Sequence, residues 1–488
     1  MIESDTRQSV TAEPAPAASY QLLGRNAERH TRKFFSAGVA LLVVSGGYLA
    51  ATAQAQDFTH VMLGLGILAF ATLPMLLWFK NGGGRFPAFE SMMLLSVGAY
   101  AIPLLREHEH LQYFSGGVIT QAALAVLLYL VSGFTVYQLT PGLPRQGRFW
   151  RDSILTKGVE RTVSHGIILS TIFISVATFT DWIPDEIFSV LRAIFYGIGT
   201  ICTFVATQRW GRGELSGGDR WLFGGALLLQ LLFMATSLLL VQAITLLGVA
   251  FMGYLSGGRG VPWRAMLIGF VIVAVLHNGK FEMRRIYWEE KKPAPELLDL
   301  PSYYIEWIGY GLTPDGGSGG KGASRRLIER TSLMHILCLV AEYSPSRQPY
   351  LEGKTYANVL PQLIPRFFWP DKPRSHISTY QLSIYYGLQD EDATQTATIA
   401  FGQLAEAYAN FGLFGAMALG AFYGFCIRKL QWWSRDSPMF SLAGLMMILV
   451  TAWSFNGELT MAAWVSSLFQ ALIVVLGLPL LLRGLFGL

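Results

Sequence analysis

The chain has 488 residues, 52% hydrophobic and only 14% charged, with a mean hydropathy of +0.40. A soluble domain of this length carries about a quarter charged residues, so that class is excluded. The formal charge of +5 does not imply nucleic acid, because the basic residues gather in short loops beside apolar runs, and three scattered cysteines (Cys202, Cys338, Cys426) support neither a disulfide framework nor a zinc site.

Residues 1–33 are polar and rich in Ala and Pro, ending in Arg25, Arg29, Arg32 and Lys33. They read as a disordered cytoplasmic tail, and with no cleavable signal ahead of it the first span is expected to stay as an anchor. Uncharged runs near 20 residues long, enough to cross about 30 Å of hydrocarbon as helices, place spans at about 34–54, 59–79, 87–105, 113–137, 165–181, 186–207, 221–239, 241–256, 264–279, 398–427, 438–456 and 461–482. The expected fold is an all-α polytopic integral membrane protein of about twelve transmembrane helices. Its parts are the tail (1–33), an N-terminal bundle of about nine spans (34–279), one large external loop carrying short amphipathic helices (280–396), and a C-terminal bundle of about three spans (397–488).

Orientation follows from charge. The connection 145–161 carries Arg145, Arg148, Arg151, Lys157 and Arg161, and the next basic loops hold Arg209, Arg212 and Arg220, then Arg259 and Arg264. The loops between them are neutral or acidic, with Asp181, Asp185 and Glu186, so an N-terminus inside satisfies the positive-inside rule. One stretch decides parity. No charge occurs between Trp221 and Gly258, and some 36 helical residues would reach about 54 Å. A split around Ser237–Gln242 puts 280–396 outside, and the basic loop with Arg428, Lys429 and Arg435 then falls inside.

Within the long loop, the run 314–324 (PDGGSGGKGAS) fails the phosphate-loop pattern and reads as a flexible linker. A helix with Ser324 as N-cap is expected to follow, lying on the bilayer or on the span bundle. Arg325, Arg326, Arg330, Arg366, Lys372 and Arg374 form a candidate cationic rim, since the planar guanidinium fork suits phosphate oxygens. The bland alternative is a solvated or headgroup-contacting surface. Glu406 lies about eight residues inside a span, where an unpaired carboxylate is costly and is by default functional; a structural pairing is the alternative. Gln403 shares its face one turn earlier. Arg192 is the other intramembrane charge, placed to meet Glu406 or a phosphate. Glu458 reads as a helix-end residue and Glu90 as interfacial. His108-Glu109-His110 lacks a third ligand and reads as solvated loop, and His335 is a minor site candidate.

Three short runs in order, GKTY at 353–356, PRFFWPDKP at 365–373 and GQLAEAYANFGLFG at 402–415, resemble the signature of the Wzy-type oligosaccharide repeat-unit (O-antigen and exopolysaccharide) polymerases. The resemblance covers about 80 residues well and the dozen-span layout loosely. It implies a bundle like that of the GT-C glycosyltransferases in the bacterial inner membrane, both termini cytoplasmic, needing no metal or cofactor. The implied substrates are undecaprenyl-diphosphate-linked glycans joined at the periplasmic face. Glu406 would be the catalytic base. The basic residues, Arg192, Gln403, Tyr408 and Asn410 would hold diphosphate and glycan. Membrane lipids and a chain-length regulator are further candidate partners, and nucleic acid is not one. An O-antigen ligase or a lipid or polysaccharide transporter is the alternative; the PRxxWPxKP run argues against the ligase, and the absence of paired halves against the transporter.

Overall fold

The computed structural model describes residues 27–486, leaving aside 56, 83–85, 107, 145–147, 153–158, 239, 258–261, 314–331, 365–367, 370, 397, 436 and 439–440. Among the described residues all regular structure is helical. Seven helices are long and apolar enough to cross a membrane: Lys33–Ala51, Phe58–Lys80, Ala88–Leu105, Gly116–Leu139, Thr162–Phe179, Trp263–Trp288 and Gly402–Trp433. Helices Asp185–Arg212, Gly217–Ala235, Leu240–Ser256, Leu442–Trp453 and Met461–Phe486 occupy the other five predicted positions.

The uncharged run breaks where the sequence places the split. Helix Gly217–Ala235 ends, Leu238 adopts φ 56°, and Leu240–Ser256 begins. Carbonyls left without intrahelical partners at such a break need donors. They receive them from the start of the large loop: Tyr303 donates to the Thr236 carbonyl (3.2 Å), Tyr304 to Leu232 (2.5 Å) and Arg284 to Leu238 (3.0 Å).

The bundle is organised around the helix Gly116–Leu139, here α1, and the helix Gly402–Trp433, here α2. Gly420 and Gly424 lie one turn apart against Gly133, with no room for a β-carbon between the backbones. Small residues at such a seam let helices approach closely without a hydrophobic driving force. Further along, Tyr137 of α1 meets Gln431 of α2, so the two helices run parallel over 413–433. Ser115, at the start of α1, therefore shares one end of the bundle with the loop that leads into α2. At the other end Lys429 donates to the Pro141 carbonyl (3.1 Å), and Trp150 packs on Trp433 at 5.1 Å.

Two expectations need correction. The run 398–427 is not one crossing. Phe411 (φ −143°, ψ 15°) and Gly412 (φ 61°, ψ −144°) interrupt α2, and Tyr423 donates to Gln403 Oε1 at 2.5 Å. In a straight helix those residues would stand about 30 Å apart. Residues 402–410 instead fold back antiparallel on 413–433, and Gly415 sits against the Ala407 carbonyl where a β-carbon would collide. The loop helix expected from Ser324, whose start lies outside the described residues, also does not run on unbroken. Ser332 and Leu333 are not helical, Leu333 donates its N–H to the Ala99 carbonyl (3.0 Å), and the helix runs Met334–Tyr343. Met334, Leu337, Cys338 and Val340 are buried, so it lies on the span bundle rather than flat on a bilayer.

Candidate functional site

A helix that turns back inside a bundle leaves its terminal backbone groups in need of partners, and such backbone is tolerated at membrane depth only where protein encloses it. The short arm 402–410 is enclosed on every side. Its first N–H, from Gly402, donates to the Glu458 carbonyl (3.0 Å), and its last carbonyls, of Ala409 and Asn410, accept from Leu351 N (3.0 Å) and Glu352 N (3.2 Å). The Asn410 side chain accepts from Gly353 N (2.9 Å) and donates to Thr355 Oγ1 and to the Glu406 carbonyl, both at 2.8 Å. Tyr356 stacks on Phe411 with centroids 6.3 Å apart, and the Tyr350 ring lies against Gly412. The GKTY segment is thus strapped across the turn of the GQLAEAYANFG segment, 50 residues away in sequence.

Glu406 lies beneath this strap, fully buried. Its Oε2 accepts from Met461 N at 2.6 Å, the first amide of the helix Met461–Phe486. The positive end of that helix is a natural seat for a carboxylate. Oε1 has no hydrogen-bond partner among the described residues, although Thr355 and Tyr356 are its neighbours. Gln403, 7% exposed, accepts from Tyr423 and leaves its Nε2 buried without a partner. Tyr423 also reaches Met461 Sδ at 3.7 Å, so Gln403 and Glu406 converge on one residue. Buried polar atoms without partners are rare enough that each needs a reason, and a ligand is one.

Tyr408 and Asn410 are brought to the same arm but are used internally. Tyr408 is fully buried and accepts from Gln121 Nε2 (2.5 Å), and Asn410 has its oxygen and both amide protons engaged. Lys372, 7% exposed, donates to the carbonyls of Gln362 (3.3 Å) and Ile364 (2.7 Å) and so ties itself back to the segment that precedes it. Arg374 and Arg192 are exposed. Arg192 rests over the Phe188 ring at 5.7 Å and lies close enough to His376 that its charge, after burial, helps hold that imidazole below its ordinary pKa. A helix residue and a loop residue 184 positions apart therefore lie close together. Arg325, Arg326, Arg330 and Arg366 lie outside the described residues, as does the 314–324 run.

Several site neighbours had no signal in composition or spacing: Thr355 and Tyr356, whose relation to Glu406 only the motif order hinted at, and Tyr423, Gln121 and Met461, which are ordinary span residues until the arm folds back. Glu458 is more than a helix end, since its carbonyl holds Gly402 and its side chain lies in the field of Lys280, itself buried. Glu90 is buried at the opposite end, where Tyr137 donates to it (3.0 Å) and Gln431 Nε2 reaches it at 3.3 Å.

The structure supplies the third histidine that the HEH run lacked. His335 stacks on His108 at 4.8 Å and 2°, and His110 stands 5.5 Å from His335. Among the described residues no group of three is arranged to hold a metal ion. His108 Nδ1 accepts from His110 N (3.2 Å). Burial, with His108 and His110 adding to it, pushes His335 down to about 4 from its ordinary 6.5. A base whose folded pKa is depressed takes up its proton more readily when unfolded, so stability falls as pH drops from about 6.5 toward 4. The thermal midpoint of the purified protein should decline across that window, and His335→Asn should flatten the decline; an unchanged slope would remove His335 from the cause.

Residues 332–484, just under a third of the chain, match the family model described as O-antigen polysaccharide polymerase Wzy. No curated protein and no solved structure matches the chain.

Proposed function

We propose that this chain, whose residues 332–484 match the family model described as O-antigen polysaccharide polymerase Wzy, joins undecaprenyl-diphosphate-linked repeat units by glycosyl transfer at the periplasmic face of the bacterial inner membrane. One observation carries the reading: the GKTY and NFG halves of the matched segment close over a fully buried carboxylate with one oxygen unpaired. A hydroxyl of the acceptor unit attacks the anomeric carbon of the growing chain, and the carbon–oxygen bond to undecaprenyl diphosphate breaks. Glu406 takes the hydroxyl proton, and the electron pair leaves with the diphosphate. Arg192 and Arg374 face that developing charge, where preorganised cations have their largest effect, with Arg366 and the 325–330 arginines as further contributors. Lys372 acts by shaping the loop that carries Arg374. The acceptor reaches Glu406 when the strap 350–356 moves aside, a gating step of the kind that closes many active sites.

The sidedness rests on charge and contact together. Loop residues 335 and 376 lie with His108 and Arg192, at the end opposite the basic loop 428–435, and basic short loops stay inside. A cysteine at Asp390, an exposed position, should react with a membrane-impermeant thiol reagent in intact spheroplasts. Labelling only after lysis would put the loop in the cytoplasm and sink the polymerase reading.

A transporter is the second reading, favoured by the folded-back arm, since discontinuous helices line many transport sites. Purified protein given only lipid-linked repeat units separates the two. Longer lipid-linked chains support the polymerase, and none with demonstrably intact substrate supports the transporter.

A further inference from the structure

The helix Leu300–Leu312 belongs to the large loop, which hydropathy assigns wholly to one side of the membrane. We propose that it dips into the leaflet on the loop side, as a re-entrant hairpin with the span Trp263–Arg284, and that lipid acyl chains cover its outer stripe. This is independent of the glycosyl-transfer reading and of which side the loop occupies.

Register sets the depth. Successive turns of the short helix meet earlier and earlier parts of the span. The Tyr303 ring lies 5.2 Å from that of Tyr287, just past the span. Trp307 donates from Nε1 to the Leu276 carbonyl (2.7 Å), and its own carbonyl leaves no room for a β-carbon on Gly279. Gly311 sits against the Val275 carbonyl, again with no room for a β-carbon. The two helices therefore run antiparallel, whereas a helix lying flat on the bilayer would cross the span near its end. Arg284 marks the loop end of the span, since it donates to the Leu238 carbonyl (3.0 Å) at the break between two other spans. Val275 lies nine residues before it, about 13 Å down at 1.5 Å per residue. The tip of the short helix thus comes close to the middle of a hydrocarbon core of about 30 Å.

The chemistry agrees with that depth. Charge gathers at the entrance, where Glu296 and Asp299 form a capping box. From Leu300 to Thr313 the one carboxylate is Glu306, and Lys292 holds it at 3.4 Å. A carboxylate below a membrane surface needs such a partner, and the long lysine side chain can reach down to it from the entrance. Two of the last carbonyls find protein donors, as backbone in hydrocarbon must: Asn278 donates to Gly311 (2.7 Å) and Thr313 to Tyr310 (2.8 Å). The seam itself, with Gly279 and Gly311 in close backbone approach, is of the kind that joins helices in membranes.

The outward stripe names the neighbour. Ile305, Ile308 and Leu312, three and four residues apart, are 71%, 42% and 67% exposed. On the span, the exposed apolar face of Leu267, Phe270, Val271 and Ile272 ends where the short helix begins to cover it; from 273 to 284 Phe281 alone of the large hydrophobic side chains is exposed. Leu312, Ile308 and Ile305 carry the lipid-facing surface of the span on toward the loop end. A stripe continuous with that surface, at membrane depth, has the same neighbour.

The test uses the unmodified full chain in liposomes that contain a phosphatidylcholine with a photoactivatable diazirine halfway along one acyl chain. Adducts mapped by mass spectrometry should fall on Ile305, Ile308 or Leu312 as readily as on Leu267 and Phe270, the reference within the span. Adducts on the span with none on 300–312 would leave the stripe to water or to a second copy of the chain and overturn the proposal. A pair of variants gives an independent reading. Leu312→Asp should lower the thermal midpoint in liposomes, whereas Leu298→Asp, at an entrance position 89% exposed, should leave it unchanged, because a carboxylate is costly in hydrocarbon and not in water. Equal effects of the two substitutions would place the helix outside the bilayer.

Discussion

Glu406→Gln is expected to accumulate normally in the membrane and to lose about 10²–10⁴-fold in polymer synthesis, the range a positioned general base contributes. Glutamine keeps the size of the side chain and an oxygen able to accept from Met461 N, so the joint between the short arm and the last helix survives. Glu406→Ala differs in kind. It leaves the Met461 amide buried and unpaired, which costs about 1–3 kcal/mol, and its loss of activity would mix chemistry with folding. Comparing the two by membrane abundance, thermal midpoint and single-turnover transfer separates the roles. Full polymer synthesis by the glutamine variant would make Glu406 a structural keystone only, the alternative its seat at a helix N-terminus also fits.

Gly412→Ala is expected to cost about 2–6 kcal/mol and to lower both abundance and activity. The backbone at φ 61° and ψ −144° lies in a region essentially reserved for glycine, worth of order 1–3 kcal/mol of strain for any other residue. A β-carbon there would also stand 2.8 Å from Cζ of Tyr350, and overpacking adds about 1–3 kcal/mol. The two causes can be told apart. Removing the ring with Tyr350→Ala relieves the clash but not the dihedral, so Gly412→Ala in that background should remain destabilising by thermal midpoint. A double variant as stable as Tyr350→Ala alone would show that the turn tolerates alanine, and the hairpin would then be held by the strap rather than by the glycine.

Both variants act on the one element whose shape the sequence could not disclose. The apolar, charge-poor run from 398 to 427 satisfies every rule for a straight crossing, because hydropathy is blind to direction. Reversal at Phe411 and Gly412 depends on Tyr350, Leu351 and Glu352 arriving from a distant loop to satisfy the open carbonyls. Local pattern cannot report a partner 60 residues away. The same holds for Lys372, whose charge reads as a phosphate ligand until two carbonyls of its own loop are seen around it. It holds too for the histidines, where the third ring comes from another helix.

What the sequence determined by itself is the class of molecule and its periodic layout: helices at all twelve predicted positions, a break inside the uncharged run 221–258, and a basic loop leading to a membrane carboxylate. Those follow from hydrophobic length and charge placement, which are properties of each segment alone. Only the tertiary structure decided that the carboxylate rides a folded-back arm, that Thr355 and Met461 are its neighbours, and that Arg192 lies close to His376. The reason is physical: those relations are set by which unsatisfied backbone groups and buried polar atoms find each other on packing, and no single segment contains both halves of any of them.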